Sequence, residues 1–131
     1  MTLVVDASVV VAALVDSGPD GHWAAEVVAG EALAAPHHMP LESANVLRRA
    51  SLAGELSADT ASLAHADLLA LRVELFPYVS LADRCWRLRE NLTIYDAAYV
   101  VLAEELDAPL ATLDHRLVTA PGTRCAFTTP A

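Results

Sequence analysis

Four acidic residues combine a side chain suited to metal chemistry with positions that an α/β protein uses for its site: Asp6, Glu42, Asp96 and Asp114. The first and the last follow short apolar runs predicted as strands, and the other two lie in the first turns of predicted helices. Four carboxylates at one rim would repel one another unless a cation binds, and hard oxygen ligands favour Mg²⁺ or Mn²⁺ over zinc. Such an ion activates water and neutralises a phosphate oxygen, which is the chemistry of phosphodiester hydrolysis.

Small polar residues accompany these acids at spacings that suit a supporting role. Ser8 is two residues after the first acid, and Thr112 is two residues before the last, on the same side of a strand. Asn45 is three residues after the second acid and therefore shares its helix face. Arg116 is two residues beyond the last acid and is a candidate for binding a phosphate. These four residues are predicted to orient the acids or to contact substrate.

Each acid also has an ordinary structural explanation. Asp6 and Asp114 are placed to cap the helices that follow them, and Asp96 forms a capping-box pattern with Thr93. Glu42 lies in a first helical turn, where the helix dipole favours a negative charge. Only the convergence of all four at one edge would favour the functional interpretation.

Strands and helices are predicted to alternate along the chain. The predicted strands are 2–6, 33–35, a run within 73–79 that Pro77 interrupts or ends, 109–112 and 124–128. The predicted helices are 7–16, 19–28, 40–52, a helix capped by Ser57 that contains Leu71, one opened by a capping box at 80–83 and reaching Asn91, 93–106, and a turn at 114–118. This alternation predicts an α/β fold of one domain over 1–131, with a mostly parallel sheet of four or five short strands flanked by helices.

Charge and composition limit the possible functions. The formal net charge is −9, and the chain contains no lysine. An acidic surface repels polyanions, so any RNA partner requires metal ions and local arginines. The absence of lysine excludes a Walker A loop and a Schiff-base mechanism. Cys85 and Cys125 match no zinc or redox spacing, and no signal peptide or membrane span is recognisable, so we expect a soluble cytoplasmic protein.

Segments containing these acids resemble the PIN-domain family and, within it, the VapC toxins. The matching segments occur in the family's order and extend over the whole chain: Val4-Val5-Asp6-Ala7-Ser8, Pro40-Leu41-Glu42-Ser43-Ala44-Asn45-Val46-Leu47, Tyr95-Asp96-Ala97-Ala98-Tyr99 and Ala111-Thr112-Leu113-Asp114-His115-Arg116-Leu117. Each segment alone is weakly specific, and the four together are strongly so.

This resemblance implies a PIN-like three-layer sandwich that binds Mg²⁺ or Mn²⁺ and cleaves RNA, usually tRNA or ribosomal RNA. It also implies a homodimer and a cognate VapB-type antitoxin whose C-terminal segment often enters the active groove. Carried over by residue, the acidic quartet consists of Asp6, Glu42, Asp96 and Asp114, with polar support from Ser8, Asn45 and Thr112. One departure concerns His115, which stands where some PIN nucleases carry a further acid, so a second metal site would be weak or completed by substrate.

Two other interpretations remain open at the level of sequence. A phosphoryl-transfer signalling domain, such as a receiver or an aspartyl-phosphate phosphatase, shares the sheet and the strand-end acids, although both normally need a lysine near the phosphate. A catalytically inactive PIN module that only binds a partner is the second. Nucleotide-binding dehydrogenase and serine-hydrolase interpretations fail because neither Gly-x-Gly-x-x-Gly nor Gly-x-Ser-x-Gly occurs.

Overall fold

The computed structural model describes residues 1–131, which form five strands and seven helices. The strands are β1 (Thr2–Val5), β2 (Ala32–Pro36), β3 (Val73–Phe76), β4 (Leu110–Ala111) and β5 (Phe127–Thr128). The helices are α1 (Ala7–Val15), α2 (Pro19–Gly30), α3 (Met39–Leu52), α4 (Ala58–Ala70), α5 (Ala82–Arg87), α6 (Ile94–Leu106) and α7 (His115–Val118). A 3-10 turn, Tyr78–Ser80, precedes α5.

All neighbouring strands of the single sheet run parallel, in the order β3-β2-β1-β4-β5. The central strand β1 is apolar and buried along Leu3, Val4 and Val5, as expected of a strand covered on both faces. The predicted α/β fold with a mostly parallel sheet is therefore confirmed, and the sheet has five strands.

The strand order sets the sides on which the helices lie. The connections from β1 to β2 and from β2 to β3 move one way along the sheet, whereas those from β3 to β4 and from β4 to β5 move the other way. Because such crossovers are right-handed, α1 to α4 cover one face and α5 to α7 the other. The direction of winding changes between β1 and β4, and sheets of this kind bind ligands at that point, beyond the carboxyl ends of the strands.

The core is continuous through both layers and contains a cluster of 26 buried residues. Helix α6 supplies an unbroken buried run from Ala97 to Ala103, so it is enclosed by the sheet and by α5. None of the helices is both long enough and apolar enough to cross a bilayer.

One predicted helix start is wrong. The capping box at 80–83 does not form, because Ser80 lies in the 3-10 turn and its hydroxyl donates to the carbonyl oxygen of Pro77 at 3.0 Å. Helix α5 begins at Ala82 after an uncapped Leu81 and ends at Arg87, four residues before the predicted end at Asn91. A serine hydroxyl can bond to a nearby backbone group instead of capping a helix, and here Ser80 stabilises the turn after Pro77.

Gly21 allows the chain between α1 and α2 to fold tightly. A Cβ at this position would overlap the backbone carbonyl oxygen of Asp16, whereas a Cβ at Gly30 in the same helix would meet nothing within 4 Å. Replacing Gly21 by alanine should therefore lower the free energy of unfolding by about 1–3 kcal/mol, the usual range for overpacking. Replacing Gly30 by alanine is the matched control and should not destabilise the protein. Denaturant unfolding measures both, and equal stability of the two variants would contradict this prediction.

Candidate active site

Asp6 links the end of β1 to the start of α1. It is 6% exposed. Its Oδ1 accepts hydrogen bonds from the Ser8 hydroxyl at 2.6 Å and from the Val9 amide at 3.1 Å, and its Oδ2 accepts one from the Thr112 hydroxyl. Burial raises the pKa of this carboxyl above its ordinary value, and the three hydrogen bonds only partly oppose that effect. Asp6 is thus an N-cap, as its position predicts, and also a rigidly held buried acid.

Two hydroxyls join the ends of β1 and β4 around this acid. The Ser8 hydroxyl accepts a hydrogen bond from the Leu113 amide at 3.1 Å, and the Thr112 hydroxyl accepts one from the Asp114 amide at 3.0 Å. Because each hydroxyl also donates to Asp6, both are fully engaged between the two strand ends. Ser8 and Thr112 therefore orient the carboxylate of Asp6 and tie it to the backbone that follows β4, and their support of a metal ligand stays a prediction.

Thr112 offers a direct test of this support, because its side chain is fully buried. Replacing it by valine keeps the shape but leaves the Asp114 amide and one oxygen of Asp6 without a partner, so we expect a loss of about 1–3 kcal/mol of stability. Thr112→Ser is the control, because it keeps the hydroxyl and removes one methyl group. Chemical denaturation compares the two, and a valine variant no less stable than the serine variant would show that these hydrogen bonds contribute little.

Asp114 follows β4 and caps α7. Its Oδ1 accepts from the Arg116 amide at 3.0 Å, and the Arg116 guanidinium donates to both carboxylate oxygens, at 3.2 and 2.9 Å. The hydrogen bond from this guanidinium lowers the pKa of Asp114, and burial only partly opposes it. The side chain of Arg116 is 88% exposed. The arginine predicted to contact phosphate therefore pairs with the acid beside it, and a phosphate contact stays a prediction.

Glu42, in the first turn of α3, is held by groups that the sequence analysis did not assign to the site. Tyr99 donates its phenolic hydrogen to Glu42 Oε1 at 2.6 Å, and His38 Nε2 lies 3.4 Å from the same oxygen. Burial raises the pKa of Glu42, but the contacts with His38 and Tyr99 outweigh it, so the pKa is lowered overall. Tyr99 follows Asp96 by three residues, and that helical spacing was the available signal for its place at the site.

Asp96 lies in the first turn of α6, whose N-cap is Thr93, with the Asp96 amide donating to the Thr93 hydroxyl at 3.1 Å. Burial, followed by the negative charges of Asp114 and Glu42, raises the pKa of Asp96. Asp96 is therefore close enough to Asp114 and Glu42 for their negative charges to act on its carboxyl.

The four acids line one cleft of about 570 Å³. Its other polar lining residues are Ser8, Asp16, Tyr99 and Arg116, and its apolar wall consists of Ala7, Val11, Ala12, Val15 and Val46. Sequence reasoning missed the apolar wall, because apolar helical residues facing a cleft do not differ in pattern from residues facing a core. It also missed Asp16, an exposed residue directly after α1. Asn45 is exposed, lines no part of the cleft and hydrogen-bonds to none of the acids, so its supporting role stays a prediction.

The donors of this cleft fit a hard divalent cation. They are carboxylates without thiolates. Burial, with a smaller contribution from neighbouring negative charges, raises the pKa values of Asp6 and Asp96. No group of three or more histidine, cysteine or acidic side chains is arranged to hold a metal by itself. Mg²⁺ is typically held by one or two carboxylates, with water and substrate phosphate completing its coordination, so this open arrangement suits it better than an ion that needs a closed protein cage.

A family model described as PIN domain matches residues 3–122. Together with the parallel sheet and the acids at its switch point, this match shows that the chain belongs to the PIN-domain family. VapC ribonucleases of Mycobacterium tuberculosis are among its curated relatives. Ribonuclease VapC9 is 39% identical over 126 residues, covering 96% of each chain, and ribonuclease VapC1 is 41% identical over 123 residues, covering 93% of this chain and 92% of the relative. The resemblance to the VapC ribonucleases is therefore confirmed.

Solved structures share the fold at low sequence identity. PAE2754 from Pyrobaculum aerophilum superposes with a TM-score of 0.71 at 24% identity, covering 97% of this chain and 83% of that one. VapC20 of Mycobacterium tuberculosis, described as a toxin that cleaves the sarcin-ricin loop, gives 0.70 at 16% identity, covering 93% and 96%. VapBC2 from Rickettsia felis, bound to a DNA fragment from its promoter, gives 0.64 at 12% identity, covering 98% of each chain.

Proposed function

We propose that this VapC-type ribonuclease is an Mg²⁺-dependent endoribonuclease toxin that cuts tRNA or ribosomal RNA, with Mn²⁺ as an alternative ion. The observation that carries the proposal is the gathering of Asp6, Glu42, Asp96 and Asp114 around one cleft at the switch point of the sheet. Negative charges that line one cleft repel one another, and a bound cation offsets that repulsion.

In this scheme the acids divide into two pairs. Asp6 and Asp96 would hold the principal ion, directly or through water, because burial raises the pKa of the buried Asp6 and of the half-buried Asp96, and a nearby positive charge would stabilise both in the ionised form. Glu42 and Asp114 complete the site or orient the attacking water. When bound, the ion supplies charge neutralisation at the scissile phosphate and a water of lowered pKa. Ser8 and Thr112 keep Asp6 in one orientation throughout.

Similarity to known proteins supports the choice of substrate and partners. A neighbour in fold is described as a toxin that cleaves the sarcin-ricin loop, and another is a VapBC complex. We infer a cognate VapB-type antitoxin, a homodimer, and action in the cytoplasm by one domain spanning 1–131. The net charge of −9 makes RNA binding dependent on cations, and Arg116 is the candidate for a phosphate contact once RNA competes with Asp114.

The proposal is tested by incubating the purified protein and Mg²⁺ with three substrates: total tRNA, a ribosomal RNA stem-loop and a DNA of the same sequence as the stem-loop. We expect discrete internal cuts in at least one RNA, and none in the DNA. Binding of RNA without cleavage under any divalent ion would contradict the proposal and would favour a module that only binds partners.

A further inference from the structure

The two contacts on Glu42 involve only one of its oxygens. Tyr99 donates to Oε1 at 2.6 Å, and His38 Nε2 lies 3.4 Å from that same atom. Oε2 accepts no hydrogen bond from the protein. The side chain of Glu42 is 36% exposed and lines the cleft, so the oxygen without a partner remains accessible.

Tyr99 connects the two helices that carry the acids away from the strand ends. It is 2% exposed and belongs to α6, one turn beyond Asp96, whereas Glu42 belongs to α3. The hydrogen bond therefore crosses between layers and joins residues 57 apart in sequence. The phenol loses almost all of its contact with water, and burial together with the charge of Glu42 raises its pKa, so it stays a donor.

His38 is the second residue that contacts Oε1 of Glu42. Its ring packs against those of Tyr95 and Tyr99, with centroid separations of 5.7 and 4.9 Å. Nε2 lies 3.1 Å from the carbonyl oxygen of Tyr95 as well as 3.4 Å from Glu42. Since both neighbours only accept hydrogen bonds, Nε2 carries the proton, and the imidazole limits the rotation of the glutamate.

A glutamate has three rotatable side-chain bonds, whereas the aspartates of the cleft have two. Asp6 and Asp114 are also anchored through both of their oxygens: Asp6 by Ser8 and, across the sheet, by Thr112, and Asp114 by the guanidinium of Arg116. Glu42 has no anchor within its own turn except His38, so its place in the cleft depends on the hydroxyl of Tyr99.

We propose that Tyr99 is a positioning residue for the proposed nuclease reaction: its buried hydroxyl, assisted by His38, fixes Glu42 through Oε1 and leaves Oε2 available to the cation, the water or the RNA. This inference rests on the proposed function. The hydroxyl of Tyr99 therefore positions Glu42, whereas the ring of Tyr99 packs in the core.

The test compares Tyr99→Phe with Tyr95→Phe. The second variant is the matched control, because Tyr95 lies on the same helix against the same histidine, yet its hydroxyl contacts no carboxylate. Loss of a group that orients a metal ligand typically costs about ten- to a hundredfold in activity or metal affinity. We expect Tyr99→Phe to lower kcat by about that factor with KM for RNA unchanged, and to weaken Mn²⁺ binding by the RNA-free protein in titration calorimetry. Tyr95→Phe should match the wild type in each measurement.

A role exerted through Glu42 also requires the two residues to be coupled. In a Glu42→Gln background, Tyr99→Phe should therefore change kcat little further, because the group that it orients is already altered. Equal kcat and Mn²⁺ affinity for Tyr99→Phe and wild type would overturn the inference, as would additive effects in the double variant. A wild-type protein that neither binds Mn²⁺ nor cuts RNA would instead refute the proposed function.

Discussion

Replacing Asp6 by asparagine should abolish RNA cleavage and leave the fold intact. The change removes one negative charge from the cleft and keeps the shape of the side chain. A bound ion contributes several kcal/mol to transition-state stabilisation, and each 1.4 kcal/mol or so is a factor of ten in rate, so we expect kcat to fall by roughly two to three orders of magnitude. Single-turnover cleavage of a labelled RNA measures this loss.

The fold should tolerate this change for two reasons. Asparagine is as good an N-cap as aspartate, so α1 keeps the contact from the Val9 amide. The pKa of Asp6 is raised in the folded protein, so its contribution to stability falls as the pH rises above the unfolded value near 4. At neutral pH without metal, Asp6→Asn should therefore melt no lower than the wild type.

Asp20→Asn is the control for charge alone, because Asp20 is exposed in the first turn of α2 and lies outside the cleft. It should cut RNA at the wild-type rate. Undiminished cleavage by Asp6→Asn would end the metal scheme, and a strongly lowered melting temperature would show that Asp6 serves the fold and not the site.

Removing divalent ions should have an effect as large as Asp6→Asn. In excess chelator we expect no RNA cleavage, with activity restored by Mg²⁺ or Mn²⁺, because a bound cation would offset the burial and the negative charges of Asp114 and Glu42 that raise the pKa of Asp96, which Arg116 opposes only in part. The ion should also stabilise the folded protein. A ligand at a hundred times its Kd adds about 2.7 kcal/mol to the free energy of unfolding.

Thermal melts of the chelated protein titrated with Mg²⁺ measure this stabilisation independently of cleavage. Asp96→Asn is the matched variant, because it lowers the charge of the cleft without altering the hydrogen bonds of Asp6. Its melting temperature should respond weakly to Mg²⁺. Full cleavage in chelator, or identical Mg²⁺ responses of the two proteins, would contradict a metal site at these acids.

Local sequence signals predicted most elements because the physics that fixes them is local. Helix α6 begins where Thr93 caps it, and α4 begins where Ser57 does, as the sequence predicts. The predicted start of α5 was wrong because the Ser80 hydroxyl donates to the carbonyl oxygen of Pro77. The sequence pattern does not show whether a serine will cap a helix or bond to a turn instead.

In the candidate site, too, local spacing predicted some residues and not others. Ser8 and Thr112 stand two residues from an acid, and the structure links both to Asp6. Tyr99 was not assigned a role, because its partner Glu42 is distant in sequence and an aromatic residue at helical spacing is ordinarily read as core. Asn45 shows the opposite limit, since sharing a helix face with Glu42 did not bring it into the cleft.

The sequence by itself determined the alternation of strands and helices, the acids at strand ends and helix starts, and the family to which the chain belongs. Only the tertiary structure decided that Asp6 and Asp114, at the ends of adjacent strands, line one cleft, and that Tyr99 donates a hydrogen bond to Glu42. The reason is that strand order and the reversal of winding at β1 and β4 depend on packing between segments up to about a hundred residues apart, for which no local pattern carries information.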